Sequence, residues 1–268
     1  MKSMLRAASR RSGLQLARRQ LSSHSAIVTT QHGDGVVELR MSQGKANSLN
    51  TAMLNEITAF LGSANTDPDV SVVVLTGANR FFCAGADVKD GVKVPSDLSP
   101  VGVCMHAFID FDKPIIGAVN GPAVGGGVTM LAHCDYNFAT SSATFWCPFA
   151  ELGIAPEFCS SVLLPHIMGH NWSHRVLVEG AKLSADDALA SGLIGEVLES
   201  PEATLNKAVA HAKLLASRPG AGKMLGVVKG MLRRHTFSKE LLHRVCTEEL
   251  AVLDERLLSG ETKLPLAK

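Results

Sequence analysis

Apolar residues along this chain follow two rhythms. "GVVELRMS" (35–42) and "VSVVVLTG" (70–77) are short Val-rich runs bounded by glycine, the composition of strands. Between them, "TAMLNEITAFLGSAN" (51–65) places Met53, Leu54, Ile57 and Leu61 on one helical face. "PIIGAVNG" (114–121) predicts a third buried strand, and "DYNFATSSATFWCP" (135–148) two further short extended pieces. "GVKVPSDLSP" (91–100) reads as a mobile loop. "LSADDALASG" (183–192) opens with Ser184 and Asp187 in capping-box spacing, Asp standing in for the usual Glu. From 201 onward the pattern turns helical, in segments near 202–217, 221–234 and 237–258 separated by Gly, Pro or Ser. Strands alternating with helices predict an α/β core. A helical tail on such a core commonly packs against a neighbour, so an oligomer is expected.

Composition changes this picture little; charge changes it more. The chain has 268 residues, 46% hydrophobic and 19% charged, the balance of a globular protein with ample material for a core. No apolar run reaches the roughly 18 residues of a membrane span, so no membrane insertion is expected. The first 30 residues carry Lys2, Arg6, Arg10, Arg11, Arg18 and Arg19 but no acid; the first acid is Asp34. With Leu5, Leu14, Leu16 and Leu21 at roughly helical spacing, this start predicts a mitochondrial transit peptide over residues 1–24. Setting those six cations aside leaves 20 against 25 acids, about −5 for the remainder. A basic tail for nucleic acid is the alternative, but no basic stripe continues it, so no nucleic-acid partner is expected. The C-terminal "PLAK" is not an S-K-L address. The mitochondrial matrix is the expected location, with the peroxisome as alternative. Six cysteines without a C-x-x-C pair predict buried free thiols. Ten histidines without H-E-x-x-H or a Cys/His cluster give no support to a metal site.

Two glycine-containing segments and one acidic segment are candidates for chemistry. "FFCAGADVKD" (81–90) follows a strand and has small residues where a ligand would need close backbone approach. "NGPAVGGGVTMLAHCD" (120–135) sets Gly125, Gly126 and Gly127 before an apolar helical run. A helix opening there exposes unpaired N–H groups, suited to a phosphate or to an oxyanion that develops during reaction. A tight turn with close helix–strand packing is the other explanation of these glycines. There is neither a G-K-[ST] nor a G-x-G-x-x-G pattern, so no nucleotide cofactor is expected. "PFAELGIAPEFCSS" (148–161) holds Glu151 and Glu157. Pro156 and Glu157 read as the start of a helix, where an acid is ordinary, and a catalytic base is the competing reading.

Taken together, "ANSLN" (46–50), "FFCAGADV" (81–88), "AVNGPAVGGG" (118–127), "CDYNFAT" (134–140) and "ASGLIGEV" (190–197) resemble the crotonase superfamily, in the order that family shows. The resemblance spans about residues 25–200. It implies a fold of spiralling strand–strand–helix turns, ClpP-like, as an acyl-CoA-binding core over 25–200. It also implies a helical oligomerisation region over 201–268, giving a homotrimer or hexamer, and an acyl-CoA thioester substrate with no cofactor. By this resemblance the thioester oxygen accepts hydrogen bonds from the N–H groups of Ala86 and Gly126. Ala84, Gly85, Ala86, Asp87 and Val88 would lie along the CoA arm, with Lys45 and Ala46 near its nucleotide end.

The acids then decide the reaction. Enoyl-CoA hydratases of the superfamily use two glutamates to hold a water; at the matching positions this chain has Thr129 and Phe149. Neither takes a proton at neutral pH, and Phe149 would exclude water. "PFAELGIAPEFCSS" is similar to the segment of peroxisomal-type 3,2-trans-enoyl-CoA isomerases whose glutamate is the single base. The resemblance thus implies Glu157 as base, with Phe149 in the substrate site and the pKa of Glu157 raised by burial near Phe158 and Cys159. Glu151 is expected at the solvent or supporting the loop, His133 as a core histidine, and Cys83 and Cys159 as small fillers. The expected activity is an allylic double-bond shift in unsaturated acyl-CoA during fatty-acid β-oxidation. A hydratase or other crotonase reaction, and a catalytically silent CoA-binding protein, remain as alternatives.

Overall fold

The Val-rich runs are buried on both faces, which is why they show so little polar alternation. The computed structural model describes residues 25–88 and 96–264, so the expected leader and residues 91–95 of the expected loop lie outside the described residues. The chain order is β1 (Ile27–Gln31), β2 (Val36–Met41), α1 (Thr51–Thr66), β3 (Val72–Gly77), α2 (Pro100–Asp110), β4 (Ile115–Val119), β5 (Ala123–Val124) and α3 (Gly126–Thr129). A 3-10 turn (Met130–His133) leads to β6 (Tyr136–Thr140), β7 (Thr144–Trp146), α4 (Phe149–Leu152), α5 (Ser160–Leu177), β8 (Leu183–Ser184), α6 (Ala185–Ser191) and β9 (Glu196–Leu198). The helices α7 (Pro201–Ala216), α8 (Ala221–Arg234) and α9 (Lys239–Leu258) follow.

The long sheet runs β1-β2-β3-β4-β6-β9, with β1 antiparallel and every other pair parallel. Its two faces feed different cores. Val37, Leu39, Val73, Leu75 and Ile115 pack toward α1 and α2, while Val36, Val72, Val74, Ile116 and Phe138 meet Ala208 and Ala212 of α7. The predicted stripe of α1 is buried, joined by Ala64, and the Asn50 side chain caps the helix at the N–H of Met53. Ser184 and Asp187 form the expected capping box on α6. α5 is broken at Gly169, which leaves the helical region at φ 72° and ψ 167°.

A second, broken layer lies across the first. Leu49 bridges Ala86, Cys83 bridges Ala123, and β5 pairs with β7, which pairs with β8. Each turn of the chain thus gives a strand to the long sheet, a short extended piece to the second layer, and a helix. That is the strand–strand–helix spiral the resemblance implied. Its joints are held by asparagines. Asn47 is fully buried at φ 54°, a left-handed conformation that Asn tolerates better than most residues. Its Nδ2 donates to the carbonyls of Ala78 (2.7 Å), Phe81 (2.8 Å) and Phe82 (3.2 Å), and its Oδ1 accepts from the N–H of Gln43 at 3.1 Å. This fixes the loop that delivers Ala84–Ala86. Asn47→Ala should lower unfolding free energy by about 3 kcal/mol, through unpaired buried carbonyls and an unfavourable left-handed residue, as read by urea denaturation.

Candidate active site

The broken layer and the helices around it enclose a cavity of about 390 Å³. Its walls are overwhelmingly apolar, with Leu49, Ile57, Met105, Phe108, Met130 and Phe149 among them. Two carboxylates line it: Glu151, which is exposed on α4, and Glu157. Of the other residues expected in the site, Ala84, Gly85, Ala86, Val88, Gly126 and Phe149 line this cavity; Lys45, Ala46 and Asp87 do not. Lys45 is exposed, and the Ala46 carbonyl accepts the N–H of Ala84 at 3.0 Å, so Ala46 joins the site segment through backbone pairing.

Two backbone donors face this space. In the bridge to Leu49, Gly85 supplies the carbonyl (2.8 Å) and Asp87 the N–H (3.2 Å), which leaves the N–H of Ala86 turned away from its strand partner. Gly126 is the first residue of α3 and so has no intrahelical acceptor. Among the described residues neither N–H has a protein acceptor. The helix expected after the glycines is only the four residues of α3, running into the 3-10 turn. So short a helix has little macrodipole, and the two N–H groups themselves are the polar feature. Glycine is required at position 85, beside the first donor. Gly85 has φ 78°, and a Cβ on it would stand 2.8 Å from the carbonyl oxygen of Val124. A Cβ on Gly126 would fall 2.9 Å from Leu49 Cδ1 and 3.3 Å from Glu157 Oε1, so the donor and the carboxylate share one spot.

Glu157 does not sit in the first turn of a helix, as its sequence context suggested. It lies in an irregular segment three residues ahead of α5, and Phe158 (φ 62°) and Cys159 (φ 58°) follow it in the left-handed region. Two such non-glycine residues cost about 1 to 2 kcal/mol each, a strain the surroundings must hold. His133 does part of this: its Nε2 donates to the Phe158 carbonyl at 2.9 Å and its ring stacks on Phe158 at 4.4 Å. Burial pushes the His133 pKa down to about 3, so it is a neutral donor, a core histidine as expected, though its Nδ1 has no partner. Cys83 and Cys159 are fully buried, and burial pushes the Cys83 thiol up to about 12.

The Glu157 carboxyl accepts a hydrogen bond from Thr129 Oγ1 at 2.9 Å. As a residue it is half-buried, yet it is enclosed by protein, because the surface it keeps faces the cavity it lines. Burial pushes its pKa up to about 7; the Thr129 hydroxyl works against this, and the charge of Glu249 adds to it. An acid titrating near neutral pH can both take and return a proton. Two parts of this arrangement were missed in the sequence. One is the active role of Thr129, 28 residues away. The other is α9, which sends Leu253 and Leu257 into the cavity wall and Glu249 behind the base. Among the described residues no group of three His, Cys, Asp or Glu converges as a metal set.

The enoyl-CoA hydratase/isomerase family profile matches residues 31–253. Human enoyl-CoA delta isomerase 2 is 36% identical over 259 residues, covering 91% of this chain and 62% of the human protein, so the chain spans about three-fifths of that relative. Mouse enoyl-CoA delta isomerase 3, peroxisomal, is 34% identical over 88% of this chain and 74% of its own length. Among solved structures, Pseudomonas aeruginosa OdaA superposes with a TM-score of 0.83 at 35% identity, covering 89% of this chain and 96% of OdaA. An enoyl-CoA hydratase/isomerase from Pseudoalteromonas atlantica gives 0.82 at 30% identity, over 88% and 93%.

The electrostatics can be checked without any substrate. The Glu157 carboxyl carbon, followed by ¹³C NMR, should titrate near 7. Thr129→Val removes a hydrogen bond to the charged form and should raise that midpoint by about one pH unit. An unchanged midpoint would remove Thr129 from the account.

Proposed function

The chain belongs to the enoyl-CoA hydratase/isomerase family, and we propose that within it the protein is a 3,2-trans-enoyl-CoA isomerase of fatty-acid β-oxidation. One observation carries this reading. Among the described residues a single enclosed carboxyl, Glu157, shares an apolar cavity with the N–H groups of Gly126 and Ala86, while Thr129 and Phe149 occupy the positions where the resemblance implies the two acids of a hydratase. A hydration reaction needs a held and activated water. An allylic shift needs only one base.

The reaction follows from that placement. Glu157 removes a proton from C2 of a 3-enoyl thioester. The electron pair spreads into a dienolate, whose oxygen accepts hydrogen bonds from Ala86 and Gly126; losing one such donor typically costs about 3 to 4 kcal/mol of barrier. The protonated Glu157 then gives its proton to C4, the double bond settles between C2 and C3, and the base is restored with no net change in atoms. Thr129 ties down Oε1 and so orients the carboxylate toward the substrate. Phe149, 4% exposed, keeps an apolar surface where a water would otherwise be held. Residues 84–88 would follow the CoA arm, and the exposed Lys45, beside Ala46, suits the phosphates at its nucleotide end.

The unit 25–200 carries most of this site, with the region 201–268 closing it through α9. That helical region also supports the expected trimer or hexamer. Met224, Val227, Val228 and Met231 recur at helical spacing on α8 and are exposed, a stripe that a second copy would cover. The basic, acid-free start supports delivery to the mitochondrial matrix.

Glu157→Gln should reduce conversion of 3-hexenoyl-CoA to 2-hexenoyl-CoA by about 1,000-fold or more, with KM little changed. Retained turnover would defeat the assignment of the base. Efficient hydration of crotonyl-CoA by the wild type would favour the hydratase, and acyl-CoA binding without either conversion the silent member. For assembly, Met231→Asp should lower the solution mass by light scattering to that of one chain.

A further inference from the structure

We propose that Glu249 is a positioning residue for Glu157, acting from behind the cavity through the backbone of residues 158–161; this rests on Glu157 being the base. Glu249 is buried on α9 and does not line the cavity. Its Oε2 accepts the N–H of Cys159 at 2.6 Å and its Oε1 the N–H of Ser161 at 2.9 Å. These N–H groups open α5, whose N-cap residue Cys159 supplies no side-chain acceptor of its own. Elsewhere the chain caps helices locally, with Ser184 on α6 and Ser200 on α7. Here a carboxylate from a remote helix does it.

The location gives the cap its significance. The capped residues follow Glu157 directly, through the left-handed pair Phe158 and Cys159. Such a turn persists only where its surroundings over-determine it. Three contacts do so: Glu249 on the Cys159 N–H, His133 on the Phe158 carbonyl, and the Leu242 carbonyl, which accepts from the Cys159 thiol at 3.2 Å. Of these only Glu249 is a carboxyl group; burial raises its pKa, and its two N–H donors, which favour the charged form, oppose that rise.

The same carboxylate has an electrostatic effect. It repels charge on Glu157 and so adds to what burial does to that group. Among the described residues, the other titratable groups facing Glu157 are the exposed Glu151 across the cavity and the thiols of Cys83, Cys104 and Cys147, which burial holds neutral. On the far side of the turn lie His133, neutral, and the thiols of Cys159 and Cys246 beside Glu249. Glu249 therefore sets both where the base points and how readily it gives up its proton.

Two substitutions separate reach from charge. Glu249→Gln keeps the length of the side chain, loses one acceptor and loses the charge. It should lower kcat about tenfold, leave KM and the affinity for hexanoyl-CoA (by calorimetry) within about twofold, and move the acidic limb of log kcat against pH to lower pH. Glu249→Asp keeps the charge but withdraws it by one methylene, so it should lower kcat while leaving that limb in place. A purely structural role would lower activity only in proportion to folded protein and would leave the limb unmoved in both. Wild-type kcat in either folded variant, a loss confined to KM, or an unmoved limb in the Gln variant overturns the proposal; should Glu249→Gln fail to fold, the Asp variant decides on kcat. The isomerase reading fails separately, when Glu157→Gln keeps its turnover.

Discussion

The site depends on a carboxyl group held in an apolar enclosure. Water would solvate Glu157 far better than the cavity does, and that loss is the largest cause of the rise of its pKa from 4.5 to about 7. A rise of that size makes the folded state up to about 3 kcal/mol less stable once the group is ionised. The sign is clear: the cost is absent below the unfolded pKa, grows as pH climbs from 4.5, and is complete above about 7. The left-handed turn after Glu157 adds strain of similar order. Nothing local offsets either cost, so the rest of the chain must. Thr129, His133 and Glu249 each spend their polar contacts on this one segment.

The fold allows this because its second layer is built from fragments. Leu49, the pair Cys83 and Ala86, Ala123 and Trp146 belong to four different turns of the spiral, yet backbone pairing sets them side by side. Short extended pieces leave N–H groups unpaired at their ends, where a continuous sheet would use them all. The inner strands β2, β3 and β4 of the long sheet are paired on both edges, buried on both sides, and serve as the rigid wall on which the fragments rest. Asn47, with four hydrogen bonds from one side chain, ties wall to fragments.

Much of the fold was legible in the sequence, because burial on both faces or along one stripe leaves a local imprint. The Val-rich strands, the stripe of α1, the capping box at Ser184 and the three terminal helices all carried it. The glycines at 85 and 126 were visible as candidates, and the resemblance gave them partners. What stayed hidden depended on long-range contact. Thr129 could be read as a vacant acid position but not as a hydrogen-bond donor to Glu157, since nothing at residue 129 encodes residue 157. The conformation at Glu157 was misread because Pro156 followed by an acid imitates a helix start, whereas the left-handed Phe158 and Cys159 delay the helix to Ser160. One faint signal was available on α9. Leu242, Val245, Cys246, Leu250, Leu253 and Leu257 form a buried stripe, and Glu249 is an acid standing in it.

The enclosure of Glu157 also has a stereochemical consequence. Among the described residues it is the one enclosed carboxyl lining the cavity, since Glu151 stands exposed on α4. In the proposed reaction the flat dienolate would therefore meet its acid and its base on the same face. Departure from C2 and arrival at C4 become suprafacial, and the two prochiral hydrogens at C2 cease to be equivalent. The handedness of the reaction is written into which wall of the cavity bears the glutamate.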